Sequence, residues 1–299
     1  MRSIRRATTL AAGLLAAALA VPLAPPSVAP AVSAPPSQPG GPAKPAKPDC
    51  GARVAKPGGG NWTCTLAEEF AGSALDDAVW AGHNLLGSGD MCVLSTPRTV
   101  SVSGGALHLS VVPADATTQC PRRADGTRGS YVAGWATTYH RFSQQYGRFE
   151  ARMRVQAASA PGLHEAFWLW PDTRYAADSP WPETGEIDIV ELHSSHPDMA
   201  VPFLHYSDDR LGPVHGLNTS WTCATTRGAW HTYTLEWFAD RVTILVDGKT
   251  CLTNTAGASS FQKPFIINLT QLLGSGTNAY DGRVPLPATM DVDYVKVWR

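Results

Sequence analysis

Apolar and polar residues alternate with period two along several stretches of the chain, the spacing of a half-buried β-strand. Gly147–Val155 (GRFEARMRV) alternates apolar with charged positions, so one face is buried and the other wet. Residues 106–112 repeat the pattern. In residues 230–238, His231, Tyr233, Leu235 and Trp237 share one side, with Thr232, Thr234 and Glu236 on the other. Residues 242–246 run into Asp247-Gly248, a strong hairpin-turn signal. A last β-rich run covers residues 290–298. No window carries the period of a long amphipathic helix. The 27 Gly and 24 Pro supply dense turns. Many short strands between regular turns predict an all-β sandwich or barrel. No internal repeat is visible.

The N-terminal part has a different character. Arg2, Arg5 and Arg6 precede an Ala- and Leu-rich stretch over residues 10–23, and Val32-Ser33-Ala34 offers small residues for cleavage. That order predicts a secretory signal peptide over residues 1–34, and hence a secreted, extracellular protein. Pro22, Pro25 and Pro26 leave the apolar stretch too short to span a bilayer, so no stable membrane insertion is expected. Residues 35–49 are rich in proline and poor in side chains able to bury themselves, as in an extended linker. The folded region is then expected over residues 50–299, as one domain and a monomer.

Charge narrows the partners a little. The whole chain carries a formal net charge of −1; removing residues 1–34, with three arginines and no acid, leaves 21 basic against 25 acidic residues. No basic patch suited to nucleic acid is present. A neutral partner such as a polysaccharide fits. The six cysteines all lie in the folded region, and an even count after an export signal implies disulfides. None sits at zinc-ligand spacing. Six cysteines allow 15 pairings; the gaps favour sequence neighbours, which would give Cys50–Cys64, Cys92–Cys120 and Cys223–Cys251.

The chemistry concentrates in Trp181-Pro182-Glu183-Thr184-Gly185-Glu186-Ile187-Asp188-Ile189-Val190-Glu191-Leu192. As a regular strand, Glu186, Asp188 and Val190 would face one way, and Ile187, Ile189 and Glu191 the other. A simple acidic outer face does not account for this. Carboxylates at i and i+2 repel, and Glu191 would enter an Ile-lined core at a cost of several kcal/mol. A β-bulge near Ile189-Val190 shifts the parity and brings Glu191 onto the face of Glu186 and Asp188. Hydrolysis of a glycosidic bond needs two such carboxylates, one to attack the anomeric carbon and one to protonate the leaving oxygen. Four effective strand positions span roughly 13 Å of backbone, so the long side chains must lean together to reach the ~5.5 Å of retaining enzymes.

The run Glu186 to Glu191 resembles the E-x-D-x-x-E signature of glycoside hydrolase family 16 in its bulged, laminarinase-like form. The likeness continues in order along the chain. Tyr146-Gly147-Arg148-Phe149-Glu150-Ala151-Arg152 is similar to the family's Y-G-R-F-E-A-R strand, and Ala166-Phe167-Trp168 to its A-F-W strand. His205-Tyr206 resembles the H-Y strand that follows the signature, and Asp293-Tyr294-Val295-Lys296-Val297 the closing D-Y-V-x-V. The resemblance implies a jelly-roll, concanavalin-like sandwich of two antiparallel sheets with a cleft on the concave face. It implies a secreted, endo-acting, retaining β-glycosidase, with β-1,3-glucan as the leading substrate. Glu186 would be the nucleophile, Glu191 the acid/base, and Asp188 the residue that holds Glu186 and biases the protonation of the trio. The nearby carboxylates would raise the pKa of Glu191. No cofactor for catalysis is expected. A structural Ca2+ held by Asp293 with oxygens of Glu69 and Gly105 is implied by the same resemblance.

Trp168, Trp170 and Trp181 flank the signature and suit stacking on the apolar face of a pyranose; core packing is the other reading of Trp168. His205 is expected beside Glu186 at the substrate, and Arg152 as a sheet-face partner. The chain departs from the family at Gly162-Leu163-His164-Glu165-Ala166-Phe167-Trp168, where laminarinases commonly read G-L-W-P-A-F-W. His164 and Glu165 are therefore expected to meet the sugar in place of a stacking Trp and a Pro. The family's N-E-L-Q-Y-Y stretch is not recognisable around residues 84–93. These departures keep a β-galactan-active hydrolase and a transglycosylase open as alternatives, beside a non-catalytic carbohydrate-binding protein of the same fold.

Overall fold

The computed structural model describes residues 47–87, 90–175, 180–206 and 212–299. The expected signal peptide and most of the expected linker, up to residue 46, lie outside the described residues. The described residues form sixteen strands: β1 (Cys64–Glu68), β2 (Ala81–Gly82), β3 (Met91–Val93), β4 (Val100–Ser103), β5 (Ala106–Pro113), β6 (Tyr131–Thr137), β7 (Gly147–Val155), β8 (Leu163–Pro171), β9 (Glu186–His193), β10 (Met199–His205), β11 (Cys223–Ala224), β12 (His231–Trp237), β13 (Val242–Val246), β14 (Lys249–Asn254), β15 (Phe265–Leu273) and β16 (Ala288–Trp298). The alternating stretches of the sequence become β5, β7, β12 and β13, as their period requires.

Strand neighbours follow the order β11-β10-β9-β8-β15-β6-β5-β16-β7-β12-β13-β14, with β1 on β16, β2 and β3 on β6, and β4 on β5. The path divides between β6 and β5, which share two paired positions, Val112 with Val132 and Pro113 with Tyr131. On either side stands a half-sheet whose strands along this path are antiparallel, with β3 added to β6 in parallel, and the two halves pack face to face as a jelly-roll sandwich. One apolar cluster joins their inner faces: Phe149, Met153, Leu235 and Trp237 from one half, Phe167, Ile187, Leu204 and Phe265 from the other. These side chains are almost wholly withdrawn from water, the main favourable contribution to the fold.

The disulfides are Cys50–Cys64, Cys92–Cys120 and Cys223–Cys251, the sequence-neighbour set, with Cα atoms 5.7, 5.7 and 5.3 Å apart. Asp293, the carboxylate of the implied Ca2+ site, accepts from Arg152 at 2.6 Å. Lys296 Nζ lies 2.8 Å from Glu69 Oε1, a contact of the side chain that leaves the carbonyl oxygens of Glu69 and Gly105, the other implied ligands, untouched. Arg152 is thus the sheet-face partner its strand position implied. No helix among the described residues is long and apolar enough to cross a membrane.

Candidate active site

β9 lies between β10 and β8, and its pairing contains the extra residue that the acidic run required. Val201 and Phe203 of β10, two apart, face Glu191 and Asp188, three apart. Phe167 and Trp168 of β8, adjacent, face Val190 and Asp188. The inserted residue is Ile189, which is buried together with Ile187 and Val190. The bulge resets the alternation, so Glu186, Asp188 and Glu191 share the outer face, and the aliphatic residues fill the core. Gly185 leads the chain into this strand with φ +81°, and a Cβ there would lie 2.6 Å from the carbonyl oxygen of Ser260. Only glycine meets both demands at low cost.

The same outer face gathers Trp135 of β6, Trp168 of β8, His205 of β10 and Thr270 of β15 around the three acids. Trp181 is half exposed, and its indole N–H donates to Glu186 Oε2 at 2.8 Å. That bond fixes one carboxylate oxygen. His205 Nε2 lies 3.3 Å from Asp188 Oδ2, and its ring packs between Trp181 and Phe203. Burial, with the charges of Glu186 and Glu191, pushes the Asp188 carboxyl up to about 8 against the opposing pull of His205. Asp188 is therefore protonated at neutral pH, which limits the negative charge between the two glutamates.

Glu191 behaves differently from expectation. Burial alone would raise its pKa, but the hydrogen bond and charge of His164, with His193 and His205, hold it below the usual value. The sequence expectation of a raised Glu191 is corrected here. It counted neighbouring carboxylates along the strand and had no way to see a histidine from β8. His164 Nε2 lies 2.8 Å from Glu191 Oε1. Burial lowers the His164 pKa, but Glu191, Glu165 and Asp188 more than offset this and leave it raised. His193, stacked parallel to His164 at 4.8 Å, is pushed down to about 4 by burial and by the charge of His164.

Glu165 needs a second correction. It was expected to meet the sugar, but alternation along β8 turns it to the face opposite His164, into the interior. There it is fully buried and holds Arg227 in a two-pronged pair, NH1–Oε2 2.8 Å and NH2–Oε1 2.7 Å. Trp168 and Trp170 do face the cleft. They join Trp135, Tyr139 and His83 around an apolar cavity of about 420 Å3 next to the acids. At its floor Asn268 accepts from the Trp135 indole, while its own amide Nδ2 has no partner among the described residues. Beyond Glu191, a more polar cavity of about 490 Å3 is lined by His193, Ser195, Met199, Trp221 and Asn278. Trp135, His83 and His193 were not singled out from the sequence. The alternation of Tyr131–Thr137 could have marked Trp135; nothing local marks the other two.

A family model for glycosyl hydrolases family 16 matches residues 92–296. The beta-glucanase of Rhodothermus marinus is 30% identical over 259 residues, covering 80% of this chain and 86% of that protein. The glucan endo-1,3-beta-glucosidase A1 of Niallia circulans is 26% identical over 267 residues; the match covers 78% of this chain and 37% of that longer protein. The endo-beta-1,3-glucanase from Pyrococcus furiosus has the same fold, with a TM-score of 0.68 at 22% identity over 82% of this chain and 97% of its own. The family model spans well over half of the chain, and the bulged acidic strand lies inside the matched region. The chain therefore belongs to glycosyl hydrolases family 16 and is a glycoside hydrolase.

Proposed function

We propose that the protein is a secreted, endo-acting, retaining β-glycosidase that cleaves a polysaccharide, with β-1,3-glucan as the leading substrate. The observation that carries this reading is the Ile189 bulge, which places Glu186 and Glu191 on one open face. Glu186 attacks the anomeric carbon while Glu191 protonates the departing glycosidic oxygen. The glycosyl ester on Glu186 is then attacked by a water whose proton passes to Glu191. The Trp181 bond and the protonated Asp188 favour an ionised, oriented Glu186. The aromatic cavity beside the acids supplies stacking surfaces for neighbouring pyranose rings. Relatives named for β-glucan and β-1,3-glucan activity support the substrate class.

Proton NMR of the first product tests the mechanism: retention is expected, and initial inversion refutes the double displacement. Glu186→Ala with added azide should yield a glycosyl azide of inverted configuration. Laminarin, mixed-linkage glucan, agarose, carrageenan and β-galactan test the substrate by product size. A ladder of oligosaccharides from laminarin is expected. Cleavage of a galactan with laminarin untouched would move the enzyme to galactans. Binding to a polymer without any cleavage would indicate a carbohydrate-binding protein.

A further inference from the structure

His164 was expected to meet the sugar; the structure also gives it a partner within the site, Glu191. His164 leaves the cleft face of β8 one strand away from Glu191, and its Nε2 meets Glu191 Oε1 at 2.8 Å. Both side chains are about one-fifth exposed, so the pair is shielded yet open to the cleft. The ring of His193 lies flat against His164, 6° from parallel, and covers it on one side.

Building on the assignment of Glu191 as acid/base, we propose that His164 and Glu191 form one proton-holding unit. In it, His164 is a positioning residue that orients the carboxyl and shares its proton. In either form of the unit, Nε2–H of His164 donates to Oε1 of Glu191. The mobile proton sits on His164 Nδ1 in one form and on Glu191 Oε2 in the other, and exchanges between them through water. Only the second form can protonate the glycosidic oxygen. When it does, the proton leaves Oε2, and the new carboxylate keeps its bond from Nε2–H. In the second half-reaction Oε2 takes a proton back from the attacking water.

The ionisable groups facing the pair come from the strands on either side of it. From β9 these are Asp188, Glu186 and His193; from β10, His205. The β15 residue opposite His164 is Leu272, which is uncharged. Behind β8, Glu165, paired with Arg227, adds to the negative charge that raises His164. Burial and the charge of His164 keep His193 neutral down to about pH 4, so it does not compete for the proton.

A unit with two seats for one proton always loses it at higher pH than either seat alone beside a neutral partner. The alkaline limb of the rate therefore depends on His164. In His164→Gln the amide can still donate to Oε1, but one seat is gone. The alkaline limb of kcat/KM should move to lower pH by about one unit, with the acidic limb unmoved. His164→Phe removes the donor, and kcat on polysaccharide should fall ~10-fold or more with KM little changed. An aryl β-glycoside with a dinitrophenolate leaving group needs no proton in the first step, so its kcat/KM, which reports that step, should be nearly unchanged in both variants. An unmoved alkaline limb in His164→Gln would overturn the shared proton. Equal losses of His164→Phe on both substrates, or a changed KM alone, would make His164 an ordinary sugar or packing contact. Glu191→Gln in the same assays reports separately on the underlying assignment. Loss of kcat/KM on the polysaccharide with kcat/KM on the aryl glycoside spared is expected, and loss of kcat/KM on both would overturn the acid role and the pair with it.

Discussion

The buried pair of Glu165 and Arg227 gives a prediction with a definite size. Neither side chain reaches solvent to any extent, at 0% and 3% exposure. Arg227 also donates from Nε to the carbonyl of Gln156, so all three of its guanidinium nitrogens are engaged. Arg227→Met would leave the Glu165 carboxylate buried without a counter-charge, at a cost of roughly 3–5 kcal/mol. For a domain of about 250 residues each kcal/mol is worth ~2–4 °C, so the melting temperature should fall by about 6–20 °C. Glu165→Leu should lose a similar amount by stranding the guanidinium. The double variant Glu165→Leu/Arg227→Met replaces both charges by apolar groups and should lie within about 2 kcal/mol of wild type. The three variants and wild type form a double-mutant cycle, read by thermal unfolding with circular dichroism. A single variant that melts within ~2 °C of wild type, or a double variant that shows the sum of both losses, would refute the reasoning.

Asp188 is raised in the folded state, so its stabilising effect is complete below about pH 4 and is lost as pH rises towards about 8. Asp188→Asn should therefore gain stability relative to wild type over that window, measured by melting temperature against pH; a constant difference would contradict the buried, protonated carboxyl. A chelator tests the implied site at Asp293: a lowered melting temperature would reveal a bound cation, and no change would leave Asp293 to Arg152 alone. Trp181→Phe keeps the ring but removes the donor to Glu186 Oε2, and kcat/KM should fall about tenfold, the worth of one charge-assisted hydrogen bond; unchanged kinetics would make that bond incidental. Non-reducing peptide mapping should return Cys50–Cys64, Cys92–Cys120 and Cys223–Cys251.

The sequence by itself determined the all-β class, the alternating strands β5, β7, β12 and β13 and the bulge in β9, for one reason: side-chain direction along a strand is a local property of period two. Glu191 could share a face with Glu186 only if a residue were inserted between them, and Ile189 is that residue. The same local rule, applied to β8, would have separated His164 from Glu165. Reading both as cleft residues ignored it, and the structure puts Glu165 inside. What only the tertiary structure decided is which charges face one another. Arg227 stands 62 positions from Glu165, and His164 stands 27 from Glu191. Nothing in either neighbourhood of the sequence announces its partner. The protonation of the site followed the same division. Three acids in a row imply mutual repulsion and a raised Glu191, but a histidine from the next strand reverses the sign. Alternation is fixed by the chain's own geometry, whereas a pKa depends on every charge and every layer of burial around a group, and those are settled only when distant strands come together.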